Sequence, residues 1–363
     1  MEINIETVVI YHGGCPDGTS AAWALSLALD NDKTYYHGGK HKEKYPDVQD
    51  KNVIFVDFAY PLEQMIMLLQ QAKSVLVLDH HATSKKLQFI TDTRLTLTLD
   101  MNRSGAQMAW DYAANILRGK LNSQHVPAKY GSTPAGDSPV NYQNSINELL
   151  SKGTRPWFIE DIGDRDLWRW QIPESKNTTR RMFSMGIYEN LNNFYNLCTV
   201  DRNQIAKDGA ILNADDDRIY AGIVRKATDC IITTADCKQS WKVRAVECDH
   251  SYASEVGNQL VQDQLCDFSL MYRYDIIKDE WWISCRALPI SDIDLTKIIP
   301  LFDPLGGGHP KAAGMTLFGA TALRNVLKPA SAKFTKVVEN TVDDASTTDV
   351  GDILKSSPIH EKI

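Results

Sequence analysis

Residues 75–81 read V-L-V-L-D-H-H, four apolar residues ending abruptly in a carboxylate and two imidazoles. An apolar run of that length without alternation is a strand buried on both faces, the kind found in parallel sheets covered by helices on either side. It therefore requires an α/β layer, and in such layers ligands bind in the crevice beyond the carboxyl ends of the strands. Asp79, His80 and His81 stand where a site is expected, and an oxygen donor beside two nitrogen donors suits a divalent metal. Taken alone, the same three residues also fit a capping Asp with two surface histidines, so the other strands must decide.

Two further segments repeat the pattern. Residues 7–12 form a β-branched strand, G-G-C-P-D-G a tight loop, and T-S-A-A-W-A-L-S-L-A-L a helix with Thr19 or Ser20 near its N-cap. His12, Cys15 and Asp17 lie just past that strand. Gly13, Gly14 and Gly18 as turn residues and Asp17 as a cap account equally well for the loop by itself. A cysteine phosphatase loop of the C-x5-R type needs an Arg where Ala21 stands, which argues against a thiol nucleophile. Residues 53–57 (V-I-F-V-D) are a third strand ending in Asp, and Pro61 opens a helix to about residue 71. Parallel strands bring their ends to one edge, so His12, Asp17, Asp57, Asp79 and His80 converge. Carboxylates pressed together resist ionising unless cations hold them. Oxygen-rich ligands with a few imidazoles suit Mn2+, with Mg2+ or another divalent ion as alternatives.

Residues 104–117 read as an amphipathic helix with Met108 and Trp110 in the core, and 119–144, rich in Ser, Pro, Gly, Asn and Gln, as a surface loop or insertion. Next, W-F-I-E-D-I-G-D-R-D-L-W-R-W carries Asp161, Asp164 and Asp166 beside Trp168 and Trp170, a partly buried segment able to deliver one more carboxylate to the metals. Asp164 is the favoured one. Helices are expected at 188–195, 201–218 and 253–260, a strand at W-K-V-R-A-V-E-C, and a hairpin from strands 270–275 and 280–285 with Arg286 at its end. Gly306, Gly307 and Gly308 allow backbone N–H groups to approach an anion, and His309 and Lys311 add donors. The run lacks the G-K-[ST] of a P-loop, which excludes nucleoside-triphosphate hydrolysis of that type.

Four elements in this order, H-G-G-C-P-D-G, V-D-F, L-D-H-H and I-G-D-R-D-L-W, resemble the metal-binding motifs of the DHH phosphoesterase superfamily. W-I-S-C-R-A followed by L-G-G-G-H-P-K-A-A-G (305–314) is similar to the associated domain that often follows, with its strand Arg and glycine-rich loop. The resemblance implies two metal ions bridged by Asp57, with His12 and Asp17 in the first-motif ligand set and His80 and Asp164 completing the ligand shell of the second metal. Asp79 and His81 match the outer members of D-H-H, His81 as the residue touching the scissile phosphate. Many members carry Asp-x-Asp in the first motif, whereas Cys15 occupies the place of the earlier Asp. A thiolate ligand, a weakly held metal and a buried structural thiol all remain open there. The implied fold is a parallel-sheet N-terminal catalytic domain plus a smaller α/β substrate-binding domain, with the cleft between them. The expected division is 1–180, a helical connector 181–225, the second domain 226–329, and a mobile tail 330–363.

The activity so implied is two-metal hydrolysis of phosphodiester or phosphomonoester bonds in short oligonucleotides or small nucleotides. Hydrolysis of pyrophosphate or polyphosphate is one alternative. A catalytically reduced nucleotide-binding protein, with Cys15 marking a damaged site, is another. Across 363 residues the composition, 43% hydrophobic and 23% charged, is ordinary for a globular chain of about two domains. The formal net charge of −7 disfavours a long polyanion as partner, since phosphates are usually neutralised by Lys and Arg. The seven scattered cysteines, without a C-x-x-C pair, fit a reducing, cytoplasmic compartment. A signal-peptide core is not expected, because the N-terminal apolar run at 8–11 is too short, nor is a membrane segment, because no stretch of about eighteen apolar residues occurs.

Overall fold

The computed structural model describes residues 5–40, 43–122, 145–149 and 152–334. Most of the expected loop at 119–144 and of the expected tail lies outside the described residues.

The N-terminal layer is a five-stranded sheet in the order β2-β1-β3-β4-β5, parallel throughout. Its strands are β1 (Thr7–His12), β2 (Thr34–Gly39), β3 (Asn52–Val56), β4 (Ser74–Asp79) and β5 (Leu95–Leu99). Alternate residues of the apolar runs feed two cores. Val8, Ile10, Val53, Phe55, Val75 and Val77 pack with Met65, Leu68 and Leu69 of helix α2 (Leu62–Gln71). On the other face Val9, Val56 and Leu78 pack with Trp23, Trp110 and Phe158. These come from α1 (Pro16–Ser26), α3 (Gly105–Asn122) and α4 (Trp157–Asp166). Met108 is buried with Trp110, as expected for core residues. The chain leaves β1 toward β2 and then crosses back to β3, so the strand order reverses between β1 and β3. That reversal opens a crevice at their carboxyl ends.

Local chemistry moves some boundaries. Helix α1 begins at Pro16, with Cys15 at its N-cap, instead of at Thr19 or Ser20. Proline is pre-shaped for the first helical position, and the Thr19 and Ser20 hydroxyls turn back onto the carbonyls of Cys15 (2.9 Å) and Pro16 (2.8 Å). Helix α3 continues to Asn122, past the residue at which the loop was expected to start. The edge strands β2 and β5 were not foreseen, although L-T-L-T-L alternates as a half-covered strand should.

Beyond α4 come α5 (Ser175–Ser184), α6 (Asn193–Leu197) and the long α7 (Arg202–Val224). Helix α5 runs across residue 180 and is tied to α7 by Arg180 with Asp216 and by Asn213 with Asn177 (2.6 Å). The helix expected at 188–195 is broken: Asn190 Oδ1 accepts from the Asn192 amide at 2.9 Å, a turn that competes with helix, and only α6 forms beyond it.

The second sheet has seven strands in the order β10-β11-β9-β8-β7-β6-β12. They are β6 (Thr228–Thr233), β7 (Ser240–Glu247), β8 (Phe268–Asp275), β9 (Glu280–Arg286), β10 (Gly307–His309), β11 (Ala312–Phe318) and β12 (Leu327–Pro329). The foreseen hairpin is β8–β9, closing at the Asp275–Glu280 pair. Only β7 and β8 run parallel, joined through helix α8 (Ala253–Val261). Val256 and Leu260 of α8 bury one face of the sheet against Val246 and Met271. Among the described residues no helix is long and apolar enough to cross a membrane.

Candidate metal centre

The ends of β1, β3 and β4 meet at the reversal point, and the helix ends that face them complete a cluster. Asp57, the residue after β3, is 1% exposed and sits in left-handed backbone at φ 55°. A non-glycine residue in that conformation stores strain, of the kind concentrated at functional sites. Its Oδ1 lies 3.0 Å from His80 Nε2, while Oδ2 lies 3.4 Å from His12 Nδ1. The two oxygens of one carboxylate therefore face different ligand sets. Ligand atoms of His12, Cys15 and Asp57 lie within 4.8 Å of one another, as do those of Asp17, His80 and Asp166. Two more such groups are Asp57 with Asp79, His80 and His81, and His80 and His81 with His309.

Asp17 and Asp79 have visible second tasks. The carboxylate of Asp17 accepts from the amides of Gly105 (2.6 Å) and Ala106 (3.0 Å), so it is seated on the N-terminus of α3, where backbone donors and the helix dipole favour an anion. Gly105 was overlooked in the sequence, yet a Cβ there would collide with the side chain of Asp57. Asp79 Oδ1 accepts from the amides of His80 (2.8 Å) and His81 (3.2 Å) and pairs with His81 Nδ1 at 2.7 Å; Ser84 Oγ donates to its other oxygen. So engaged, Asp79 fixes the orientation of the His81 ring through its Nδ1.

The three acids of the fourth motif separate cleanly. Asp161 accepts from Arg202 Nε and Nη2, both at 2.9 Å, and from Thr178, joining α4 to α5 and α7. Asp164 was expected at the metals. Its carboxylate instead accepts from the amides of Gln171 (2.9 Å) and Ile172 (3.1 Å) and from Ser175 Oγ (2.6 Å). It thereby shapes the loop after α4, in which Trp168 and Trp170 have positive φ. Asp166 is the carboxylate that reaches the cluster, 3.3 Å from His80 Nε2. Expected outcomes for paired variants follow from this division. Asp164→Asn should lower folding stability by about 2 kcal/mol through weakened charge-assisted hydrogen bonds, with metal affinity retained. Asp166→Asn should fold normally and lose metal affinity by about tenfold or more. Urea unfolding and metal calorimetry on both check this, and the reverse pattern would return Asp164 to the cluster.

Electrostatics in the cluster shows what holds it. Burial drives Asp17 well above the usual carboxylate range, helped by the charges of Asp57 and Asp166. Desolvation by the surrounding protein and the charge of Asp57 likewise raise Asp166, although its side chain is 25% exposed, and desolvation with the three surrounding carboxylates pushes the half-buried Cys15 thiol well up. Burial works against ionised Asp57 too, but the imidazoles of His12, His80 and His81 hold it well below its ordinary value. Against its own burial, His80 is pushed up to about 10 by the Asp57 hydrogen bond and the charges of Asp166, Asp57 and Asp17. His81 reaches about 9 against burial, through Asp79. Protons on imidazole thus stand where divalent cations would neutralise the same carboxylates. Asp57 Oδ2 is buried and takes no hydrogen bond among the described residues, an acceptor aimed into the cluster. Carboxylate and imidazole donors in these groups fit divalent ions.

The second sheet contributes His309, whose ring stacks on His81 with centroids 4.7 Å apart and approaches His80 at 5.4 Å. Burial and the charges of His81 and His80 lower it to about 4, so it is neutral near pH 7. Gly307 and Gly308 lie with it in β10, and Gly308, at φ 144°, would clash through any Cβ with the Ala312 carbonyl. Arg286 pairs in register with Ala312, and Ala312 with His309. Directly paired residues point to the same side, so Arg286 and His309 share a face about 10 Å apart, two strand spacings. Arg286 donates to Ser254 Oγ and Ser284 Oγ, both at 2.8 Å. Lys311, expected as an anion donor, is committed elsewhere: its Nζ donates to the carbonyls of Ser291 (2.5 Å) and Ile293 (2.6 Å).

No protein-family model matches the chain. It is 24% identical over 331 residues to the uncharacterized protein R106 of Acanthamoeba polyphaga mimivirus, covering 86% of this chain and 68% of that one. Among solved structures it resembles the DHH domain of a member of the s1p family of ribosomal proteins, at 13% identity and TM-score 0.46, over 88% of this chain and 85% of the other. It also resembles exonuclease RecJ bound to manganese, at 13% identity and TM-score 0.46, over 88% of each chain.

Proposed function

We propose that the chain is a metal-dependent phosphoesterase of the DHH type that hydrolyses short oligonucleotides or small nucleotides. The observation that carries this reading is the Asp57 carboxylate, whose two oxygens face His12 and His80 in separate donor groups at the strand-order reversal. Mn2+ is the preferred ion for so oxygen-rich a set. Held by His12 and Asp57 on one side and by Asp17, His80 and Asp166 on the other, a pair of divalent ions would supply Lewis acidity at phosphorus and activate the attacking water.

The chain's own groups supply the rest. Asp79 orients His81, which offers Nε2 toward a phosphate oxygen in the cleft. Neutral His309, stacked on His81, can donate one hydrogen bond without adding a charge that would repel the cations. Arg286, on the same face of the second sheet, gives an anion contact about 10 Å away. That separation suits a ligand carrying one or two phosphates. It supports a short substrate over a long strand, which needs a continuous basic track.

Substrate length is the discriminating measurement. The expected result is that kcat/KM falls as an oligonucleotide grows beyond a few nucleotides, and that Arg286→Ala raises KM more than it lowers kcat, as loss of uniform binding should. Faster hydrolysis of a long single strand than of a dinucleotide, with a salt dependence implying many phosphate contacts, would overturn the reading in favour of an exonuclease. Phosphate released from pyrophosphate with no turnover of any phosphoester would favour a phosphoanhydride hydrolase.

A further inference from the structure

The two halves of the metal cluster are chemically unequal. Asp17, His80 and Asp166 offer two carboxylates and one imidazole, a hard, oxygen-rich set. His12, Cys15 and Asp57 offer one imidazole, one carboxylate and a sulfur, with their ligand atoms within 4.8 Å of one another. Cys15 is held at that place by the fold: it is the N-cap residue of α1, immediately before Pro16, and its carbonyl accepts from the Thr19 amide at 3.0 Å. The loop conformation that starts α1 therefore fixes the Cys15 backbone beside the end of β1. A second feature of this half is the buried Asp57 Oδ2 atom, which lies 3.4 Å from His12 Nδ1 and accepts no hydrogen bond among the described residues.

We propose that the Cys15 thiolate is a ligand of the first metal and that it makes the cluster hetero-dinuclear in preference. The His12–Cys15–Asp57 half takes a borderline transition ion such as Zn2+, Co2+ or Fe2+, and the oxygen-rich half takes Mn2+ or Mg2+. Sulfur and imidazole donors favour the borderline ions, whereas carboxylates favour the harder ones. The step balances simply: the S–H bond breaks, a sulfur–metal bond forms, the proton leaves to solvent, and no electron is transferred. An Asp at position 15 would make both halves hard, so the residue sets which ion the first half selects. The inference rests on the two-metal reading above.

Cobalt titration of the full-length protein separates the two. Co2+ bound to thiolate gives a near-ultraviolet sulfur-to-metal charge-transfer absorption, while Co2+ bound to oxygen and nitrogen alone gives only weak visible bands. The expected result for the wild-type chain is both, with the near-ultraviolet band saturating at one equivalent of cobalt. Cys15→Ser should lose that band and keep the visible ones. In dialysis against equal Zn2+ and Mn2+, Cys15→Asp should shift the bound ratio toward Mn2+ by about tenfold or more. Visible bands without the charge-transfer band in the wild type would overturn the thiolate ligand, as would a band that survives in Cys15→Ser, which would assign it to another cysteine. Failure of the wild-type chain to bind cobalt, zinc or manganese at all would instead overturn the metal-centre reading itself.

Discussion

Asp57→Asn is expected to remove both metal ions together and to reduce turnover by more than about 100-fold, because its carboxylate faces His12 through one oxygen and His80, which belongs to the other half, through the second. The magnitude follows by comparison: deleting a mere outer-shell partner of a metal ligand typically costs about 10- to 100-fold in affinity or activity, and a shared ligand should exceed it. Asn is the informative replacement, since it keeps the size of Asp and tolerates the left-handed backbone at φ 55°, which most other residues would not. A loss of function therefore reports the charge and not a collapsed loop. Far-ultraviolet circular dichroism and cooperative unfolding should stay close to wild type. Calorimetry should find the metal stoichiometry falling toward zero. If two equivalents still bind and turnover persists, Asp57 does not bridge the centre, and the dinuclear reading falls with it.

Much of this centre was legible before any coordinates because parallel strands obey a simple rule. Each apolar run had to be a buried strand, and each ended in His12, Asp57 or Asp79, so convergence at one edge followed from topology alone. What was not legible depended on distances within turns. Asp164 and Asp166 differ by two residues in one short stretch. Whether either points into the crevice depends on how α4 unwinds, and that is decided by the amides of Gln171 and Ile172, which capture Asp164. Lys311 looked like a phosphate donor from its place beside the glycine run. Its reach to two carbonyls 18 and 20 residues away could not be read from order along the chain. Gly105 was missed for a related reason: S-G-A-Q reads as an ordinary helix start, and only Asp57 and Asp17 packed against it make a side chain at that position impossible. The edge strand β2 carries T-Y-Y-H-G-G, too polar and glycine-rich to be recognised without its pairing to β1.

Metal binding should be steeply linked to pH, with opposite effects on the metal-free and metal-bound protein. In the metal-free cluster His80 is protonated up to about pH 10, held by Asp57, Asp166 and Asp17. A cation that takes its Nε2 must expel that proton, so apparent affinity should rise about tenfold per pH unit from near pH 6.5 toward 10 for that one group. The sign for stability runs the other way without metal. The folded-state value is raised above the ordinary 6.5, so the stabilisation from protonated His80 is complete below pH 6.5 and is lost as pH rises through about 10. The melting temperature of the metal-free protein should therefore fall across that window. With metal in excess it should hold or rise, because a ligand that binds only the folded state stabilises more as its affinity increases. Calorimetry in buffers of different ionisation enthalpy counts the protons released, with at least one expected per bound pair of ions near pH 7.5. An affinity independent of pH over this range, with no proton released, would mean that His80 Nε2 is not a ligand, and the cations would then have to be held by the remaining donors of the cluster.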